Sequence, residues 1–131
     1  MVGIVVCAHF NLAKEMVLAT ELIAGKQDQI WYVNVNPEVD MEKVRMELER
    51  AIKEVDSGEG VIIFTDMFGG TPCNISLSFL EKGRIEVITG VNLPMLIKTV
   101  LEREGKKLDE LAETVKDYGQ KHIYLARDLL K

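Results

Sequence analysis

The stretch Val61-Ile62-Ile63-Phe64-Thr65-Asp66-Met67-Phe68-Gly69-Gly70-Thr71-Pro72 decides the fold. An apolar run of strand length stops at an aspartate, two glycines follow, and a Thr-Pro pair opens a helical pattern. The run has no polar alternation, so it reads as a strand covered on both faces, the habit of parallel sheets. Thr71 reads as the cap and Pro72 as the first helical residue, where a missing N–H does no harm. The turn between them suits an anion, because glycines let backbone N–H groups approach closely and a helix start adds partial positive charge.

The same strand–turn–helix order recurs on both sides of this stretch. Gly3 to Ala8 is a second unbroken apolar run, and it ends at His9. From Leu12 the period becomes helical, with Leu12, Met16, Ala19, Leu22 and Ile23 on one face and Gly25 closing the helix. Asn11 is placed to cap it. Ile30 to Val35 is a strand, and Asp40 caps a long helix that turns Val44, Leu48, Ala51, Ile52 and Val55 inward. Ser57-Gly58-Glu59-Gly60 breaks that helix. Beyond the Asp66 turn, a helix through Ile75, Leu77, Phe79 and Leu80 stops near Gly83. Arg84 to Thr89 is a fourth strand, and Gly90-Val91-Asn92 turns into a helix opened by Leu93-Pro94 and running to about Arg103. Leu108, Leu111, Ala112 and Val115 make a further amphipathic helix ending near Gly119. His122 to Ala126 has strand character.

Four strand–helix alternations predict an α/β fold with an open, mainly parallel sheet and helices on both faces. The 131 residues, 47% hydrophobic and 28% charged, fit one ordinary globular domain spanning 1–131. A net charge of −5 without a basic face argues against a nucleic-acid binder. No apolar run approaches the roughly 20 residues that span a bilayer. Met1-Val2-Gly3 has no charged segment before it and reads as the start of a strand, not a signal peptide. Cys7 and Cys73 match no metal spacing, so reduced thiols in the cytoplasm are expected, with Cys7 a small buried hydrophobe. Cys73 lies in a first helical turn, which leaves a redox role open. Met16, Met41, Met46 and Met95 read as core filler.

In open parallel sheets ligands bind beyond the carboxyl ends of the strands, where the strand order reverses. In the common order 2-1-3-4 that point lies between strands one and three, so His9 and Asp66 are expected side by side. A carboxylate that accepts a proton from one imidazole nitrogen leaves the other free as a nucleophile or base. Around the free nitrogen would stand the N–H groups of Phe10, Asn11 and Leu12, those of Gly69, Gly70 and Thr71, and the Thr71 hydroxyl. That set suits a tetrahedral anion, and a phosphorylated histidine fits it better than acyl chemistry, since no serine or cysteine with its own base is evident. Each residue alone has a plainer reading. His9 could be a structural polar residue at a strand end, Asp66 could cap its own turn, and Gly69-Gly70 could serve close packing. His122 reads as a surface or interface residue.

Three motifs in order extend this reading: Val6-Cys7-Ala8-His9, Asp66-Met67-Phe68-Gly69-Gly70-Thr71-Pro72-Cys73-Asn74, and Thr89-Gly90-Val91-Asn92-Leu93-Pro94-Met95-Leu96. Together they make essentially the whole chain resemble the mannose-family enzyme IIA domain of the bacterial sugar phosphotransferase system. The resemblance implies that His9 is phosphorylated by the phosphocarrier HPr and passes the group to a IIB component. Asp66 would hold the imidazole, and Gly69, Gly70 and Thr71 would line the phosphoryl site. Met67, Phe68, Val91, Asn92 and Pro94 would wall it. No metal or cofactor is implied, and the membrane is reached only through a IIC/IID transporter. The family also implies a homodimer that exchanges a last, antiparallel strand, for which His122 to Ala126 is the candidate. Two departures stand out: the family often has glycine where this chain has Phe10, and serine where it has Thr71. The chain ends at Lys131, so the IIB partner is expected on a separate polypeptide. Two other roles remain open, a donor subunit for a dihydroxyacetone kinase and a regulatory module that moves no sugar.

Overall fold

The structure, a computed structural model, describes residues 1–130. The elements run β1 (Gly3–His9), α1 (Leu12–Ala24), β2 (Ile30–Val35), α2 (Met41–Val55) and β3 (Val61–Thr65). They continue as α3 (Thr71–Leu77), β4 (Ile85–Thr89), α4 (Leu93–Glu102), α5 (Leu108–Lys121) and α6 (Ala126–Leu129). The four strands form a parallel sheet, as the alternation predicts, in the expected common order β2-β1-β3-β4.

Strands β1 and β3 are central and apolar up to their last residues, His9 and Thr65, and each feeds both faces of the sheet. Ile4, Val6, Ala8, Ile62 and Phe64 pack under α1, α4 and α5. Val5, Cys7, Val61 and Ile63 pack under α2 and Ile75 of α3. Burial of each such Val, Ile or Phe side chain stabilises by about 1.5–3 kcal/mol. The α2 cap is as read: the Asp40 carboxylate accepts from the Glu42 N–H at 3.1 Å.

Several local expectations are corrected. On α1 the inward residues are Ala13, Val17 and Thr20, while Leu12, Leu22 and Ile23 face outward. This helix is apolar around much of its circumference, so period alone could not choose the face; small side chains fit closest to the sheet. Asn11 precedes α1 without a side-chain cap bond. Helix α3 begins one residue earlier than read, with Gly70 at the cap and Thr71 as its first residue. Met95 is buried, but Met41 and Met46 are exposed, because Val44, Leu48 and Ala51 already occupy the inner stripe of α2.

His122 to Ala126 is not a strand in this chain. His122 ends α5, Ile123, Tyr124 and Leu125 are exposed without regular structure, and Ala126 starts α6. A strand needs a partner backbone, and within one chain this segment has none beside it.

The opposite end of the sheet is fastened by Arg103. Its guanidinium is buried and donates to the carbonyls of Val2 (3.1 Å), Gln29 (2.9 Å) and Asp28, and to the Gln27 side chain. One side chain thereby ties α4 to the start of β1 and to the α1–β2 connection.

Candidate active site

The parallel register brings Cys7 opposite Thr65, so β3 ends two residues short of β1, and Asp66 just past its end meets His9 at the end of β1. Asp66 Oδ2 lies 2.7 Å from His9 Nδ1 and also accepts the His9 backbone N–H at 3.1 Å. Its other oxygen accepts the Met67 N–H at 3.0 Å. Asp66 therefore both caps its own turn and grips the histidine. An ionised carboxylate only accepts, so Nδ1 carries the hydrogen and the lone pair of a neutral ring sits on Nε2.

Burial pulls the Asp66 carboxyl upward, but the hydrogen bonds from the ring and backbone of His9, together with the His9 charge, outweigh it. The carboxyl is held below its ordinary value of 3.8. The His9 ring is 45% exposed and the carboxylate 14%, so the carboxylate sits behind the imidazole and Nε2 faces outward.

Gly70 sets the other limit. A Cβ on Gly70 would come within 2.7 Å of His9 Cε1 and 3.2 Å of Nε2. Its backbone is extended (φ −83°, ψ 172°), so the missing side chain answers to space beside the ring and not to strain. Gly69, by contrast, has φ +89° with open space around it, a left-handed position that favours glycine. Thr71 follows at the start of α3, half-buried.

The predicted lining is sorted by its other commitments. The Phe10 N–H donates to the Val35 carbonyl at 2.8 Å, so it is not free for an anion. Phe10 has φ +55°, a conformation that costs an L-residue roughly 1–2 kcal/mol, and is 65% exposed. Met67 and Phe68, on the turn that follows Asp66, are exposed. Val91, Asn92 and Pro94 are half-buried at the turn into α4. The Asn92 side chain is spent on structure: Oδ1 caps α4 by accepting from the Met95 N–H at 2.9 Å, and Nδ2 donates to the Gly119 carbonyl at 3.0 Å.

Below the site both cysteines are buried. Burial pushes the Cys7 thiol up to about 12, with the Ser76 hydroxyl pulling the other way. Among the described residues no group of three or more His, Cys, Asp or Glu side chains could hold a metal ion. None of the described helices is long and apolar enough to cross a membrane.

A parallel α/β sheet with a carboxylate-held histidine at its reversal point defines the fold and site, and comparison with known proteins gives the family. The EIIA-man family, described as the phosphotransferase system (PTS) fructose IIA component, matches residues 3–116. The chain belongs to this family. It is 27% identical over 124 residues to the PTS mannose-specific EIIAB component of Escherichia coli (strain K12), covering 93% of this chain but 38% of that protein. The PTS fructose-specific EIIA component of Bacillus subtilis (strain 168) is 24% identical over 132 residues, 100% of this chain and 90% of that one. In three dimensions the PTS component EIIA from Streptococcus agalactiae superposes with a TM-score of 0.88 at 29% identity. That match covers 98% of this chain and 99% of the other.

Proposed function

We propose that the protein is a phosphohistidine carrier, a single mannose-type IIA domain that takes a phosphoryl group from HPr on His9 and hands it to a IIB component during sugar uptake. The observation that carries this reading is the 2.7 Å contact between His9 Nδ1 and Asp66 Oδ2, which leaves Nε2 as the free nucleophile. The Nε2 lone pair attacks phosphorus as the bond from phosphorus to the donor nitrogen breaks. The electron pair of that bond returns to the donor, and the Nδ1 proton stays on His9 against Asp66. The phosphoryl group then leaves for the acceptor by the same exchange in reverse. Transfer between two nitrogens needs little acid–base help, so the protein's share is positioning and charge stabilisation.

The first N–H groups of a helix have no partner within it, which supports placing the phosphoryl oxygens near Gly69, Gly70 and Thr71. Met67, Phe68, Val91 and Pro94 would flank them. The protein works in the cytoplasm and reaches the membrane only through its transporter partners.

The same reading includes a homodimer in which the C-terminal segment pairs with the partner's β4. Two features support it. A groove of about 680 Å³ lies between β4 and α5, with Val87, Ile88 and Ala112 in its wall beside Glu86, Asp109 and Glu113. Ile123, Tyr124, Leu125 and Leu130 are all exposed.

The test is mass spectrometry after incubation with phosphorylated HPr. One acid-labile, base-stable phosphoryl group at His9 is expected. Its absence in the wild type, or its presence in His9→Ala, overturns the carrier role.

A further inference from the structure

We propose that Phe10 is a partner-contact residue, the apolar seat on which the protein that delivers phosphate to His9 docks; this rests on the carrier reading above. Phe10 follows His9 directly, lies in the left-handed region at φ +55°, and is 65% exposed. A residue in that conformation pays backbone strain, which packing normally repays. Here the residue is mostly in solvent, so its contribution to the fold is small. Glycine would take the same backbone shape without strain. A bulky ring kept at such a place answers to something outside the chain.

What it answers to follows from the surroundings. Met67, 55% exposed, and Phe68, 75% exposed, add apolar surface from the Asp66 turn, where Met67 Cγ and His9 Cε1 both border the Gly70 position. The stretches Phe10–Ala13 and Met67–Asn74 contain no charged residue. A nucleotide or a free sugar phosphate would bring two or more negative charges, which proteins meet with Arg or Lys. Two uncharged segments flanking the His9–Asp66 pair fit a phosphoryl group presented from the middle of another protein's apolar patch. Exclusion of water by that patch would also protect the phosphohistidine during transfer.

The experiment compares wild type, Phe10→Gly and Phe10→Leu with two phosphoryl donors, phosphorylated HPr and the small donor phosphoramidate. The rate of His9 labelling and the melting temperature are measured for each. In Phe10→Gly the melting temperature holds or rises. Its labelling by HPr falls at least tenfold more than its labelling by phosphoramidate, and Phe10→Leu recovers most of the loss. Equal labelling of wild type and Phe10→Gly by HPr overturns the inference while leaving the carrier role intact. An equal loss with both donors also overturns it, since Phe10 would then act on the geometry of His9. A lower melting temperature in Phe10→Gly removes the premise that the ring gives the fold little. Wild type labelled by neither donor overturns the carrier reading and this one with it.

Discussion

A single oxygen, Asp66 Oδ2, receives both N–H groups that His9 turns inward, the ring Nδ1 at 2.7 Å and the backbone N at 3.1 Å. The carboxylate thus fixes the strand end and the imidazole through one atom, so side-chain orientation is tied to the register between β1 and β3. Replacement of Asp66 by asparagine tests this coupling. An amide can present its NH₂ to Nδ1 and stabilise the opposite tautomer, which removes the Nε2 lone pair. A charge-assisted hydrogen bond is worth about 1.5–3 kcal/mol, so phosphoryl transfer in Asp66→Asn should slow by roughly 10- to 100-fold in single-turnover measurements. Unchanged rates would sink the orienting role.

The same pair gives an acid signature. The Asp66 carboxyl is lowered in the folded protein relative to 3.8, so its stabilisation is present above that pH and is lost as pH falls through the folded value. Acid unfolding curves of wild type and Asp66→Asn should therefore keep a constant gap above about pH 3.8 and converge as pH falls below it through the folded value. Parallel curves across that range would show that the carboxylate adds nothing to folding.

Gly70 limits the histidine from the other side. In Gly70→Ala the backbone needs no left-handed conformation, so the change acts only through the new methyl 2.7 Å from His9 Cε1. The ring must swing away from Asp66 or the α3 start must shift. We expect the loss of stability to stay within about 1.5 kcal/mol, the lower part of the range for overpacking, while His9 phosphorylation falls by an order of magnitude or more. A variant that labels at the wild-type rate would place the ring elsewhere during transfer.

How far this site was legible in the sequence depends on the kind of residue. His9 and Asp66 were readable because each ends an apolar run too uniform to be anything but a central strand, and the reversal rule then makes them neighbours. The alternation implies a parallel sheet, and the strand order is expected only as the common one, which the sheet has. Gly70 was readable as part of an anion-binding turn, but its contact with the His9 ring depends on how close α3 starts to β1. Phe10 read as an N–H donor because it precedes a helix; the bond to the Val35 carbonyl comes from β2, which no local pattern reports. Asn92 read as a site wall, yet its side chain bridges the start of α4 to Gly119 on α5, a contact across 27 residues. Arg103 gave no signal at all. It ends an ordinary amphipathic helix, and only the folded chain brings it under Val2 and Gln29.

Arg103 is accordingly the residue whose loss should cost the fold most without touching the site. It is 1% exposed, and its guanidinium satisfies carbonyls of Val2, Asp28 and Gln29. Burial lowers its pKa, the direction expected for a cation removed from water, while Asp28 and Glu104 pull it back. Arg103→Met keeps much of the apolar stem but takes the guanidinium from the Val2 and Asp28 carbonyls, while the Gln29 carbonyl keeps the Ile4 N–H. At about 1–3 kcal/mol for each buried group left unsatisfied, chemical denaturation should register a loss of at least 2 kcal/mol. His9 labelling at saturating donor should persist wherever the variant remains folded. A variant as stable as wild type would mean that water replaces the guanidinium without penalty.

Cys7 supplies the alkaline counterpart to Asp66, and the sign is opposite. Its thiol lies two residues before His9 under α3, with Sγ 3.9 Å from the Pro72 carbonyl, and burial raises it from 9.0 to about 12. Between those values the folded protein keeps the proton while the unfolded chain has released it. The unfolded state then binds fewer protons, so stability is full below pH 9.0 and falls as pH rises toward 12. The slope approaches 1.4 kcal/mol per pH unit for one group. Cys7→Ala loses some packing at all pH values, yet it has no thiol to titrate and should lack this extra alkaline slope. The decisive measurement is the difference between the two stability–pH curves from pH 8 to 10.5, before lysine and tyrosine titration dominates. Curves that stay parallel would mean that the folded thiol ionises as readily as a free one. A buried thiol that stays protonated should also resist alkylation at pH 8 until the protein unfolds.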